Sequence, residues 1–408
     1  MDYIDRKYSP SSSDLVCEFL VEPAKGVDFR DACRQIAAES SVGTWTTVST
    51  MTERISRMGA VVYDFDRARR TAMIAYPREL FEKGNLSQML SSIAGNIFGM
   101  RAVSSLRLED VRIPSSMARG FAGPLIGMDE IRKMTGIRKR PLSGTIFKPK
   151  VGLTPREMAN LAYMIYSSGI DYSKDDENLG SMEFNRFEDR VMLMLGVIDR
   201  IKSEHGRQVI YAANITSPSD TMLKRAEFVR RHGGKCIMID IMTAGWSSLQ
   251  YIRKQNFRMI LHGHRAGHAA FTRDPRHGIS MLALAKFSRL AGISALHTGT
   301  VVGKMEGTSQ DVVKIDGFLR SPWHGIRKVM PIASGGLHPG LVSRLVSLLG
   351  KDIIINFGGG LWGHPDGPEA GAKAIRQAID ASVLGISPKE YAKVNWELKA
   401  AINKWGCI

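Results

Sequence analysis

The chain is poor in cysteine: four occur in 408 residues, at 17, 33, 236 and 407. They form no CxxC pair, which speaks against a disulfide framework, and they read as reduced, mostly buried thiols of a cytoplasmic protein. Long apolar runs are missing as well, so no stretch spans a bilayer and no membrane partner is expected. The opening MDYIDRKYSP lacks the charged-then-apolar order of a secretory leader. Cys407 stands next to last, which excludes a prenylation box. No tandem repeat and no low-complexity segment occurs. Carboxylates are in deficit, 40 Asp and Glu against 56 Lys and Arg, for a formal charge of +16. Such an excess raises the question of nucleic acid. The basic residues are spread along the chain, however, in clusters no longer than Arg138-Lys139-Arg140. No zinc-finger spacing, RNA-binding sheet signature or basic-plus-heptad segment accompanies them. The expectation is a basic enzyme that favours anionic substrates, with no nucleic-acid partner.

What is present has a clear order. Residues 15–22, 60–64 and 71–76 read as strands and 29–40 and 86–95 as helices, an α+β pattern. Beyond residue 143, short apolar runs alternate with amphipathic segments. Eight strand candidates cover 143–148, 170–174, 208–214, 236–241, 258–263, 294–298, 329–333 and 352–357. Helices follow most of them, as at 154–167, 279–290 and 338–349, the last opened by His338-Pro339 and stopped by Gly350. The expected fold class is α/β, a C-terminal (β/α)8 TIM barrel preceded by a smaller α+β N-terminal domain. The expected domains are 1–125 and 126–408, with a helical extension at 388–405.

A barrel carries its chemistry at the C-terminal ends of its strands. Polar groups fall at this phase in nearly every unit: Lys148 and Lys150 after the first strand, Asn214 after the third, Asp240 after the fourth. His264 and Arg265 follow the fifth strand and His297 ends the sixth, ahead of a glycine-flanked loop bearing Lys304. Ser334, Gly335 and Gly336 follow the seventh strand and Gly358 and Gly359 the eighth. Glycines at these last two places let backbone N–H groups approach a phosphate. The second unit is the most informative. GIDYSKDDEN, at 169–178, puts Asp176 and Glu177, hard oxygen ligands suited to Mg²⁺, beside the cation Lys174. The conflict disappears if Lys174 reacts with CO₂, because a carbamate is an anionic oxygen ligand. Arg265, His264 and His297 make a second anion site, and two phosphate sites flanking a metal point to a bisphosphorylated sugar. The spacing His262-x-His264-x-x-x-His268 also suggests zinc, but Arg265 opposes a cation there. His262 and His268 are read as structural.

These blocks together resemble the RuBisCO large chain over nearly the whole sequence. The densest matches are AESSVGTWT at 38–46, SIAGNIFG at 92–99, GTIFKPKVGL at 144–153, KDDEN at 174–178 and HRAGHAAFTR at 264–273. HTGTVVGK at 297–304, SGGLH at 334–338 and FGGG at 357–360 complete the set. The short connection between Gly307 and Met330 and the tail GHPDGP at 363–368 look like the archaeal-type, form III branch.

The resemblance implies a ribulose 1,5-bisphosphate carboxylase, with an oxygenase side reaction, that gives 3-phosphoglycerate through a Mg-bound enediolate. It implies CO₂ held as a carbamate on Lys174, with Asp176 and Glu177 as the other Mg²⁺ ligands and the carbamate as the base at C3. Lys148 would protonate the product carbanion, supported by Lys150. Lys304 would close over the substrate as a lid. His264 would contact the sugar and Ser334 a hydroxyl. Arg265 and His297 would hold one phosphate, and Gly335, Gly336, Gly358, Gly359, Thr44 and Trp45 the other. Glu39, Thr44 and Asn96 would reach a neighbouring subunit, so at least a homodimer, or a ring of homodimers, is implied, without a small subunit. The branch suggests disposal of ribulose bisphosphate from nucleotide breakdown.

There are departures: Gly263 and Gly267 around the His264–Arg265 pair, Asn356 for the usual Gln, Trp362 for a smaller residue, and the segment at 181–184. The two glycines are expected to loosen the fifth strand and leave a small void. The alternative function is a RuBisCO-like enolase, isomerase or decarboxylase of a related sugar phosphate. The presence of Lys148, Lys304, Glu39 and Asn96 weighs against it. A basic binding protein that keeps only the fold is the reading from another class.

Overall fold

The computed structural model describes residues 2–44, 46–302 and 308–408. Trp45 and Lys304 lie outside the described residues. Strands are numbered along the chain: β1 Leu15–Pro23, β2 Val61–Asp66, β3 Thr71–Tyr76, β4 Val103–Arg112, β5 Leu142–Ile146, β6 Tyr172–Lys174, β7 Ile210–Asn214, β8 Cys236–Asp240, β9 Ile260–His264, β10 Gly278–Ile279, β11 Ala295–Gly299, β12 Met330–Ser334 and β13 Ile354–Phe357. The chain divides into two compact units, Met1–Ala122 with Gly267–Ala291, and Gly123–Ala266 with Gly292–Ile408.

The first unit is a five-stranded sheet in the order β10-β4-β1-β3-β2, antiparallel except for the β10–β4 pair. In β1, Phe19 and Val21 are buried while Glu18, Leu20 and Glu22 are only half-buried. The helix Phe29–Glu39 starts where the Asp28 carboxylate accepts the Arg30 N–H at 2.8 Å. It buries Ala32, Cys33, Ile36 and Ala37, an i, i+1, i+4, i+5 stripe, and packs on β1 and β2. Residues 267–291 join this unit through β4. Arg107 donates to the carbonyls of Thr272 at 3.2 Å and Asp274 at 2.6 Å, and the Ser280 hydroxyl to that of Glu109 at 2.6 Å.

The second unit is a closed parallel barrel of eight strands, β5 to β9 followed by β11 to β13, with β13 pairing back onto β5. All eight strands expected from the sequence are there, six of them starting one or two residues later. Leu142, Ile210, Cys236, Ile260, Ala295, Met330 and Ile354, from the early part of their strands, share one buried cluster with Met128 and Ile131 of the helix Met128–Thr135. That helix therefore plugs the N-terminal end of the barrel. Residues 388–405 form two helices, Pro388–Tyr391 and Trp396–Trp405. No helix among the described residues is long and apolar enough to cross a membrane.

The void expected on the fifth strand is not found. A Cβ on Gly263 would lie 2.9 Å from Ile293 Cγ2, 3.2 Å from Leu296 Cδ1 and 3.3 Å from Ile241 Cγ2, so the glycine is where neighbours have filled the space. Gly267 instead has φ +80° and open surroundings, a left-handed turn position. Trp362 braces β5: its indole N–H donates to the Ile146 carbonyl at 2.7 Å and its ring lies 5.7 Å from Phe147. Asn356 leaves its Oδ1 buried and unpartnered.

Ahead of β6, buried Asp171 accepts from Arg140 at 2.8 Å, Arg207 at 3.1 Å and the Ser143 hydroxyl at 2.8 Å. Burial pushes its carboxyl up, but Arg140, Ser143 and Arg207 outweigh that and hold it below 3.8. The stabilisation is therefore complete at neutral pH and lost as pH falls below the usual carboxylate range. Asp171→Ala, which leaves two guanidinium groups uncompensated, is expected to cost about 3–5 kcal/mol in denaturant unfolding at neutral pH. A loss below about 1 kcal/mol would contradict this role.

Candidate active site

Strand alternation places the central residues. Along β6 the Tyr172 and Lys174 side chains face the barrel interior, and Ser173 faces out to bond the Tyr166 hydroxyl at 2.6 Å. The ladder runs one residue further, Asp175 N–H donating to the Ala212 carbonyl at 3.1 Å. Asp175 thus points outward. Its carboxylate accepts from Arg190 Nε at 3.1 Å, the Tyr211 hydroxyl at 2.6 Å and the Asn214 N–H at 2.9 Å. Arg190 and Asp175 are both wholly buried. Asn214 Nδ2 donates to the carbonyls of Glu177 at 3.2 Å and Leu179 at 3.3 Å. With the backbone pinned on that side, Asp176 turns inward.

Lys174, Asp176, Glu177 and Lys148 meet on the inner side. Lys174 Nζ donates to Glu177 Oε2 at 3.1 Å and to the Asp175 carbonyl at 2.9 Å, and Lys148 Nζ to Asp176 Oδ2 at 2.9 Å. Lys174 and Asp176 are buried and Lys148 is half-buried. Burial lowers Lys174 from its ordinary 10.5, with Glu177 opposing. Burial also disfavours the Glu177 carboxylate, but Lys174 and His264 outweigh it and hold the carboxyl down to about 2. No three His, Cys, Asp or Glu side chains among the described residues are grouped to hold a metal. Asp176 and Glu177 supply two carboxylates, and only a modified Lys174 completes a three-residue oxygen set. The charges fit that step. Two ammonium groups balance two carboxylates here, and converting Lys174 to an anion leaves these four side chains at minus two, matched by one divalent cation.

The histidines form a chain. His264 Nδ1 lies 2.6 Å from Asp240 Oδ1, and His264 Nε2 lies 3.5 Å from Glu177 Oε2. His297 Nδ1 meets the Ser334 hydroxyl at 2.8 Å, and its Nε2 meets His262 Nε2 at 2.9 Å. His262 Nδ1 meets the Tyr172 hydroxyl at 2.6 Å. Burial, and then neighbouring positive charge, pushes His262 and His297 well below 6.5, so both are neutral. Both ring nitrogens of His262 are engaged, and His268, in the first unit, meets the Thr272 hydroxyl at 3.1 Å.

The remaining candidates are less concentrated. Arg265 is buried, its Nη2 2.9 Å from where a Cβ on Gly299 would be. The Lys148 stem passes Gly358, 3.8 Å from its would-be Cβ. Gly335 and Gly336 hold φ +116° and +67°, and Gly359 opens a one-turn helix. Lys150 is exposed and joins no described contact of the cluster. In the first unit, Glu39 and Thr44 line a cleft of about 760 Å³, and Asn96 starts a short 3₁₀ turn on the surface. Gly43 is required there: a Cβ would lie 2.5 Å from the Tyr3 hydroxyl oxygen. Asp175, Arg190, Tyr211, Tyr172 and, as the partner of His264, Asp240 were not singled out from the sequence. A period of two counted from Lys174 would have separated Asp175 from Asp176.

The chain matches two family models: ribulose bisphosphate carboxylase large chain, N-terminal domain, over 2–117, and its catalytic domain over 127–405. It is 50% identical to a ribulose bisphosphate carboxylase of Pyrococcus abyssi, covering 100% of this chain and 97% of the relative. It is 45% identical to that of Methanosarcina barkeri, covering 99% of each. Among solved structures it resembles the octameric ribulose-1,5-bisphosphate carboxylase/oxygenase of Pyrococcus horikoshii, with TM-score 0.96, 49% identity and coverage of 99% and 96%. It also resembles a dimeric archaeal Rubisco from Hyperthermus butylicus, with TM-score 0.94, 44% identity and coverage of 100% and 99%. Fold and site define a barrel enzyme of the carboxylase class. The chain belongs to the ribulose bisphosphate carboxylase large-chain family, in its archaeal-type branch.

The Asp175–Arg190 pair is expected to carry the site. Arg190→Met should lower stability by about 3–5 kcal/mol in denaturant unfolding, with Asp175→Asn in the same chain recovering part of it. Loss below about 1 kcal/mol, or simple additivity of the two changes, would refute the coupling.

Proposed function

We propose that the protein is a ribulose 1,5-bisphosphate carboxylase that adds CO₂ and then water to its substrate and cleaves the product to two molecules of 3-phosphoglycerate, with oxygenation as a side reaction. The observation that carries the reading is the buried Lys174 amine bonded to Glu177, with Asp176 held by Lys148 in the same cluster, in a chain of this family. Burial favours the neutral amine, which is the form that attacks CO₂; the new N–C bond forms as one C=O π pair moves onto oxygen and the nitrogen releases a proton to water. Mg²⁺ held by Asp176, Glu177 and carbamylated Lys174 would supply a Lewis acid for the negative charge that develops on the substrate oxygens.

The chain's own groups do the rest. Lys174, once carbamylated, would be the base for the proton at C3. Asp240 orients His264 toward the sugar, and the neutral His297 orients the Ser334 hydroxyl. Lys148, which donates to Asp176 at 2.9 Å, would protonate the product carbanion, supported by Lys150. Arg265 and His297 hold one phosphate, and the backbone at Gly335, Gly336, Gly358 and Gly359 holds the other. Lys304 closes over the reacting carbon and excludes water. Glu39, Thr44, Trp45 and Asn96 complete the site of a second copy, so the working unit is a homodimer or a ring of homodimers without a small subunit. Excess positive charge favours the bisphosphate.

The test is anaerobic incorporation of labelled CO₂ into 3-phosphoglycerate after preincubation with bicarbonate and Mg²⁺. Metal-dependent label is expected, reduced at least about 10³-fold in Lys174→Ala. No label from folded protein would overturn the reading in favour of a RuBisCO-like enolase or isomerase. Activation by CO₂ should also depend on pH. It rises as Lys174 loses its proton, with a midpoint below the ordinary 10.5 because burial lowers that lysine. A midpoint at or above 10.5 would contradict the role of burial.

A further inference from the structure

Away from the carboxylate cluster, one buried charge has no role so far. Asp316, on the helix Ser309–Arg320, is fully buried, and neither carboxylate oxygen has a hydrogen-bond partner among the described residues. Thr298 on β11 acts on this carboxylate, yet its own hydroxyl is also buried and completes no hydrogen bond. A carboxylate in such a place is unfavourable unless some other charge compensates it.

Two charges compensate it: Arg320, on its own helix, and, less strongly, Arg265. The Arg265 guanidinium lies against Gly299, and Val312 Cγ2 is 3.7 Å from the same would-be Cβ. Val312 and Asp316 are four residues apart on one helix, hence on one face, and both are buried. Arg265 has no carboxylate within ion-pair distance among the described residues, but it and Asp316 feel each other's charge. We propose that Asp316 is a buried counter-charge that sets the anion affinity of Arg265, weakening the hold on a phosphoryl group when ionised and strengthening it when protonated. The inference rests on the phosphate role proposed above for Arg265.

The surrounding groups fix the sign. Arg265, which follows β9, and Thr298, on β11, both act on Asp316. Arg320, on the same helix, donates from Nε to the Asp316 carbonyl at 3.1 Å. Burial raises the Asp316 carboxyl to about 6, with Thr298, Arg320 and Arg265 opposing. Burial lowers Arg265 to about 10, so it stays cationic at neutral pH. Burial holds His297, next to Thr298, well below its ordinary 6.5. An anion on Arg265 disfavours a second negative charge nearby, so binding takes up a proton near pH 6.

Sulfate, whose charge is constant over the range, is the probe. Calorimetric titration of the whole protein at about pH 5.5 and about pH 7.5, in two buffers of different ionisation enthalpy, reads both affinity and proton uptake. The wild type is expected to bind at least about fivefold tighter at the lower pH, with net proton uptake. Asp316→Asn should bind at both pH values as tightly as the wild type does at the lower. An Asn variant that keeps the wild-type pH dependence, or a wild type that takes up no proton, overturns the proposal. Should the variant fail to fold, proton uptake by the wild type alone decides. Carboxylation without this linkage overturns the Asp316 inference alone. Linked sulfate binding in a chain that fixes no CO₂ supports the inference and overturns the carboxylase reading.

Discussion

The wholly buried ion pair between Asp175 and Arg190 is the constraint on which the site depends. A pair in that position is costly to bury and costly to break. Its value here is directional. By holding Asp175 on the outer side of β6, with Tyr211 and the Asn214 backbone as further donors, it forces Lys174 and Asp176 onto the inner side. The turn that follows is held by Asn214 through the carbonyls of Glu177 and Leu179, so Glu177 returns to Lys174. Rigidity on one face of the strand produces convergence on the other.

Convergence creates an electrostatic problem with two solutions. In the described structure, Lys148 and Lys174 neutralise Asp176 and Glu177. In the reading proposed above, conversion of Lys174 to an anion would remove one partner and add a negative charge, for a divalent cation to compensate. Lys174 is thus a partner of Glu177 as a cation, and in that proposed reading it would become an oxygen ligand as an anion. The neutral histidines beside it suit this exchange. Held uncharged by burial, His262 and His297 relay hydrogen bonds from Tyr172 to Ser334 without adding charge of their own.

Much of this was legible in the sequence. The barrel strands are buried on both faces, and several read as short apolar runs such as CIMI at 236–239, which pattern reasoning finds readily. β4 was missed because Arg107, Glu109 and Asp110 interrupt its apolar residues. In the fold, Arg107 serves backbone carbonyls of residues 272 and 274, and Lys286 meets Asp110, contacts that come from far along the chain. Residues 267–291 group with the first unit for the same reason. Gly263 was misread because a missing side chain suggests a void, whereas Ile293, Leu296 and Ile241 had already taken the room. In the site, the KDDEN run was readable as chemistry, but which carboxylate faced which way depended on Arg190, fifteen residues on in a helix. Asp240 was visible only as a strand-end residue until its distance to His264 was known.

The central claim is that Lys174 changes from cation to anion by taking up CO₂. It is tested most directly by incubating the protein with isotopically labelled CO₂ and Mg²⁺, trapping carbamates chemically and locating the label by peptide mass spectrometry. One stoichiometric label on Lys174, lost when Mg²⁺ is omitted or when Asp176 is replaced by Asn, is the expected result. Label on other lysines, or none on Lys174 in folded protein, would contradict it.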